Sequence, residues 1–244
     1  MNFYYPTKDE EDKILKEIGY SRSQLERDIP ALRLWLQEQV HLPESRLKEN
    51  DIFLSNFLVG CKGSVETAKR KMDHYYSLRG KGEAFTNRDT FAYVDSVSKY
   101  LAMVDIPKPT PEGNCISMTQ LLVDDVDQYD GVDTLKKMTL MFELKLRTVP
   151  ISGQHIYILD AHNYTMAHFL KLPPSALRTF TSFFQVGFQA LEIIFQKQLL
   201  VRKVKSFIVH RAFAPHSVHY SQKQVFTKVG RYFTSVGKYI MNLI

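Results

Sequence analysis

Residues 124–133 read DDVDQYDGVD, five aspartates around one glycine, the residue types of a calcium loop. Such a loop places oxygen ligands at its first, third and fifth positions and a bidentate Glu at its twelfth. Counted from Asp125, the first and third are Asp125 and Asp127, but the fifth is Tyr129 and the twelfth is Lys136. The segment therefore reads as a solvated acidic loop. Cys61 and Cys115 are the chain's two cysteines; they stand in no C-x-x-C spacing, and no His pair sits at ligand spacing. Neither zinc nor a disulfide framework is expected. His155 and His168 flank a predicted strand and its turn and read as hydrogen-bonded structural residues. There is no G-x-S-x-G, no H-E-x-x-H, no P-loop and no G-x-G-x-x-G after a strand. Nothing points to a catalytic residue, a metal or a cofactor, so a binding protein is expected rather than an enzyme.

The remaining chemistry is cationic. In LLVRKVKSFIVHR, residues 199–211, Arg202, Lys203 and Lys205 precede the apolar run Phe207, Ile208, Val209. They belong to a wider asymmetry: residues 189–244 hold nine Lys and Arg against Glu192 alone, a charge of +8, whereas residues 1–188 sum to −2. A basic end of this kind suits an acidic partner, either phospholipid headgroups or nucleic acid. Aromatic residues interleaved with Arg are sparse, so nucleic acid is not expected.

The elements that must hold these residues follow from composition and period. The 244 residues, 44% hydrophobic and 24% charged, suit one large globular domain or a small one with a medium one. The richest apolar stretch, FFQVGFQALEIIF, is broken by Gln185, Gln189 and Glu192, so no spanning helix is predicted. MNFYYPTKDEEDK lacks the basic and apolar regions of a secretory signal, and a cytoplasmic location is expected.

Four parts are predicted. Residues 1–80 read as a helical subdomain. Acidic Asp9 to Asp12 suit the positive end of a first helix that stops at Gly19. Ser23 and Glu26 form a capping box, and a main helix follows Asp28 with Pro30 in its first turn. Asp51 caps IFLSNFL and Ser64 caps VETAKRKMDHYYSLR. Residues 81–114 form a connection in which Pro107, Pro109, Pro111 and Gly113 forbid regular structure. In residues 115–211, strand CISMTQLLV, helix VDTLKKMTLMFELKLR, strand QHIYILD, helix SALRTFTSFFQVGFQALEIIFQ and strand KSFIVH predict an α/β layer with partly parallel pairing. Residues 212–244 form a basic segment of unclear fold. The last helix aligns Phe180, Phe183, Phe184, Phe188, Leu191, Ile194 and Phe195 on one face. That face is either packed core or, with Met138, Met141 and Phe142, the wall of an apolar cavity.

In order along the chain, LRLWLQEQVHLP, NDIFLSNFLVGCKGSVETAKRKMDHYYSLRG, FTNRD, IPKPTPEGN and GQHIYILDAHNYTMAHFLKLPPSALRTF resemble segments of the CRAL-TRIO family. The resemblance is to insect members similar to α-tocopherol transfer and retinaldehyde-binding proteins, and it runs from about residue 27 to 184. It implies a helical subdomain followed by a lipid-binding α/β domain, a CRAL-TRIO-like mixed sheet with flanking helices. That domain is incomplete at the C-terminus, because the chain departs from the family beyond Arg211. The implied function is non-enzymatic binding and intracellular transfer of one lipophilic molecule, tocopherol-, retinoid- or phospholipid-like. The carrier would be a monomer that docks transiently on phosphoinositide-bearing membranes. The implied lipid pocket is Met138, Phe142, His155, Leu159, Tyr164, Met166, Phe180, Phe183 and Phe184. The implied headgroup patch is Arg70, Lys62, Lys203 and Lys205. The alternative expectation is a truncated or diverged interaction module that binds anionic membranes or partners without lipid exchange.

Overall fold

The computed structural model describes residues 3–86, 88, 95–106, 109–110, 113–151, 153, 155–160, 162–187, 191–196 and 208–211. Residues 1–212 make one compact unit, and the expected basic segment 212–244 lies outside the described residues.

The first helices start where side chains can take up orphaned backbone N–H groups. α1 (Lys8–Glu17) opens with a capping box between Thr7 and Glu10, carries Asp9, Glu10 and Glu11 in its positive first turn, and is followed by Gly19 at φ 70°. α2 (Arg22–Glu38) begins earlier than expected: Ser21 and Gln24, rather than Ser23 and Glu26, form the capping box. Pro30 consequently lies inside this helix and not in its first turn. Leu25, Asp28, Leu32 and Leu36 are buried on both sides of Pro30, and this shared burial outweighs the one backbone hydrogen bond that proline cannot make.

α3 (Asp51–Gly60) is capped by Asn50, which accepts from the Phe53 N–H at 2.8 Å; Asp51, expected as the cap, is the first helical residue. α4 (Val65–Lys81) is capped by Ser64, as its sequence indicates. Between them Lys62 and Gly63 adopt φ 53° and 77°. A Cβ on Gly63 would fall 2.5 Å from the Tyr20 ring, so backbone and packing both require glycine there.

The second half contains β1 (Leu101–Asp105), β2 (Cys115–Leu121), α5 (Gly131–Thr148), β3 (His155–Asp160), α6 (Met166–Leu170), α7 (Pro174–Gly187), β4 (Leu191–Gln196) and β5 (Ile208–Arg211). The sheet order is β1-β2-β3-β4-β5. The pairs β2–β3 and β3–β4 are parallel, and the outer pairs are antiparallel. The chain is thus α/β in the broad sense, a helical region followed by a mixed sheet.

Elements of the second half depart from expectation as well. LAMVD, assigned to the connection, is the edge strand β1; five residues are too few for alternation to stand out. The long predicted helix ends at Gly187, and LEIIFQ is strand β4, so Leu191, Ile194 and Phe195 leave the helical face. Phe188 lies outside the described residues. An apolar run fits either period, and here glycine ends the helix while β-branched and aromatic residues favour extended chain.

One core runs through both halves. Phe53, Phe57, Met72 and Tyr75 of α3 and α4 are buried with Phe142 of α5, Tyr157 of β3, and Phe180, Phe183 and Phe184 of α7. A smaller core gathers Val97, Tyr100, Leu101, Leu121 and Tyr129. Among the described residues, no helix is long and apolar enough to cross a membrane.

Candidate partner-binding site

α2, α3 and α4 pack as three helices whose inner faces are apolar, so the question is which outer faces remain free. α3 is committed. Asn50 Nδ2 donates to the Arg147 carbonyl at 3.2 Å, and Asn56 Nδ2 donates to the carbonyls of Leu146 and Val149 at 3.1 and 2.8 Å. These bonds take up carbonyls at and just beyond the end of α5, which no intrahelical donor can reach.

The inner side of α4 is committed as well. Glu143 of α5 is buried and gathers four partners: Tyr75 Oη donates to it at 2.6 Å, Arg79 Nη1 and Arg88 Nη2 approach to 2.8 Å, and Arg147 stands at 3.7 Å. Burial, with this carboxylate beside it, pushes the Tyr75 phenol well above its ordinary range, so the ring stays a neutral donor. Above this hub Phe183 meets Phe85 at 5.3 Å and Tyr75 at 6.2 Å between ring centroids.

The outer faces of α2 and α4 remain, and of the two it is α2, with the turn after it, that carries large exposed aliphatic side chains among the described residues. Several polar groups there are held by neighbours. Arg33 pairs with Asp51 and Glu49, Gln37 Nε2 donates to Glu49 at 2.8 Å, Lys69 lies over the Trp35 ring at 5.9 Å, and His41 meets Asp73 of α4. Two aliphatic side chains of this stretch face water: Leu34 is 59% exposed and Val40 is 98% exposed. Exposed apolar side chains on a stretch whose polar groups are already held can bury surface on a partner with little ordering cost.

The residues of the expected lipid pocket are distributed differently. Met138, Phe142, Phe180, Phe183 and Phe184 share the main core, where Phe184 packs on Phe142, Phe180 and Phe183 at 4.6, 4.5 and 5.4 Å. Leu159 is half-buried against that core. Tyr164 belongs to another group, its hydroxyl 2.8 Å from that of Tyr129, and Met166 is exposed. His155 is half-buried on β3, where loss of solvent and then Lys145 press its imidazole down to about 3, leaving it neutral. Of the expected headgroup residues, Lys62 and Arg70 are exposed, on the α3–α4 turn and on α4. Lys203 and Lys205 lie outside the described residues.

Two of the buried polar groups that escaped sequence reasoning are built on α5. One is the Glu143 hub. The other joins Asp105, Ser117 and Lys145: Lys145 Nζ donates to both Asp105 and Ser117, and Ser117 Oγ donates to Asp105 at 2.6 Å. It borders a hollow of about 10 Å³, room for one water, also lined by Met103, Val104, Met141 and Phe142. The available signal was charge beside the apolar stripe of α5, where Glu143 and Lys145 adjoin Phe142 and Leu146.

Residues 21–93, which span α2, α3 and α4, match the family described as Pinta-like, UBA domain. The CRAL-TRIO family is not found. A search of curated proteins finds no match. The resemblance to the CRAL-TRIO family is therefore corrected, and with it the expectations of lipid binding and transfer, of likeness to α-tocopherol transfer protein, and of peripheral phosphoinositide binding. The described parts of the segments that carried it are capped helices and a parallel strand with its helices, local patterns that many folds share. UBA domains bind ubiquitin or other proteins, which favours the alternative of an interaction module.

Proposed function

We propose that residues 21–93 form a protein-interaction module that binds ubiquitin, or a ubiquitin-like protein, through the outer face of α2 and the turn that follows it. One observation carries this reading: the family match falls on helices whose α3 and inner α4 faces are occupied by the chain itself, which leaves Leu34 and Val40 as the apolar contact. Burying both is favourable by about 25 cal/mol per Å², and no described ion pair need break. The role is binding without catalysis, in the cytoplasm, with a protein and not a lipid as partner.

Calorimetric titration of the full chain with ubiquitin tests this. A weak one-to-one complex is expected, and Leu34→Asp or Val40→Asp should each weaken it about tenfold by forcing a carboxylate into an apolar contact. Both positions are exposed, so stability should hardly change. Binding that survives both substitutions unaltered would place the contact elsewhere, and an absence of binding would withdraw ubiquitin as the partner.

A further inference from the structure

α6 is built inside out. His168 is fully buried, whereas Met166, Phe169 and Leu170 are 71%, 52% and 76% exposed. A surface helix ordinarily does the reverse. The inner side of α6 is anchored by its imidazole, which packs on Tyr129 and Tyr164 at 5.2 and 5.7 Å and accepts at Nδ1 from the Thr165 N–H at 3.2 Å. Tyr129 in turn packs edge-on against Tyr100 at 5.8 Å. The far end is held too. Lys171 Nζ donates to the carbonyls of Val126 and Tyr129 at 2.5 and 3.4 Å, and the Lys171 carbonyl sits so close to Gly131 that a Cβ there would meet it at 2.4 Å.

With both ends fixed, the helix cannot roll its apolar residues inward. Just before α6, Asn163 Nδ2 donates to the Leu121 carbonyl at 2.8 Å and ties this segment to the end of β2. Met166, Phe169 and Leu170 thus hold apolar surface in water on one short helix, and contiguous exposed apolar surface is where partners dock.

The rim decides what docks. The loop tied to Lys171 carries Asp124, Asp125, Asp127 and Asp130, all exposed, while Lys171 answers Asp127 from 3.9 Å. We infer that this surface receives a cationic amphipathic segment of a partner protein, its apolar side on Met166, Phe169 and Leu170 and its Lys or Arg residues toward the aspartates. The same aspartates repel an anionic bilayer, so this is not a membrane anchor. The surface belongs to the α/β half and is independent of the ubiquitin reading.

The test titrates the full chain with a labelled amphipathic Leu/Lys peptide, its Leu/Glu counterpart and phosphatidylserine vesicles, read by fluorescence anisotropy and co-sedimentation. The Leu/Lys peptide should bind, and the double variant Phe169→Ser, Leu170→Ser should weaken it at least about tenfold. Asp124→Asn with Asp127→Asn should weaken it about threefold and flatten its salt dependence. All four positions are exposed, and near-ultraviolet circular dichroism should be unchanged in both variants. Equal affinity for the Leu/Glu peptide, indifference to the variants, vesicle binding that depends on Phe169 and Leu170, or self-association of the chain through the same residues would each overturn the inference.

Discussion

Glu143→Ala should cost the chain about 3 kcal/mol of stability, read as a lower urea midpoint at unchanged slope. For about 200 folded residues this corresponds to a fall in Tm of about 6–12 °C. The reason is charge accounting. Three guanidinium groups and one phenol converge on this carboxylate, and its removal strands Arg88 in particular, which is almost fully enclosed. The more open Arg79 and Arg147 can turn toward water, which keeps the loss at the low end for a broken buried pair. Glu143→Gln retains an acceptor for Tyr75 and should cost about half as much. A loss below about 1 kcal/mol for the alanine variant would mean that the pairs are solvated and that the hub does not tie α4 to α5.

Phe183→Ala should be as damaging or more, at about 3–5 kcal/mol. The ring is completely buried where α4, the turn Glu83–Phe85 and α7 meet, and it touches Tyr75, Phe85 and Phe184. Such rigid neighbours cannot all collapse into the space, so the cavity term adds to the lost transfer energy. Phe183→Leu fills most of the volume and should cost about 1.5 kcal/mol or less. Because Tyr75 touches both Phe183 and Glu143, the two alanine variants should combine non-additively. Circular dichroism against urea checks both. These losses concern the joint that holds the helical module to the sheet, so the folded fraction of either variant should bind ubiquitin as the parent does.

Helix starts were legible where one cap stood alone and ambiguous where two overlapped. Ser64 is an example of the first. In SRSQLE, Ser21 with Gln24 satisfies the capping-box spacing as the expected Ser23 with Glu26 does, and Pro30 is what places the expected main helix after Asp28. Burial of Leu25 and Asp28 decided otherwise, and no window confined to α2 contains that information. LEIIFQ failed for a related reason: its apolar residues satisfy the period of the Phe-rich helix before it, and pairing with β3 selects the strand.

Leu34 and Val40 are not among the site residues expected from the sequence. Leu32, Trp35 and Leu36 lie on one face of α2, which leaves Leu34 pointing away from it. That Leu34 stays uncovered depends on α5 and α7 occupying the other helices, a long-range outcome. The headgroup patch was drawn from a resemblance instead of from contacts, and only Lys62 and Arg70 of its members can be placed. Glu143 was passed over because a helical stripe is read by its apolar members, whereas the charge beside them carries the link between the two halves.

The most direct test of the central claim is a nuclear magnetic resonance titration of the isotope-labelled full chain with unlabelled ubiquitin. Amide shifts should move along the exposed side of α2, at Leu34, at Val40 and His41, and at Asp73 across the turn, while α3 and the residues around Glu143 stay still. Shifts confined to other surfaces, or none at saturating ubiquitin, would contradict a ubiquitin-binding module on this face.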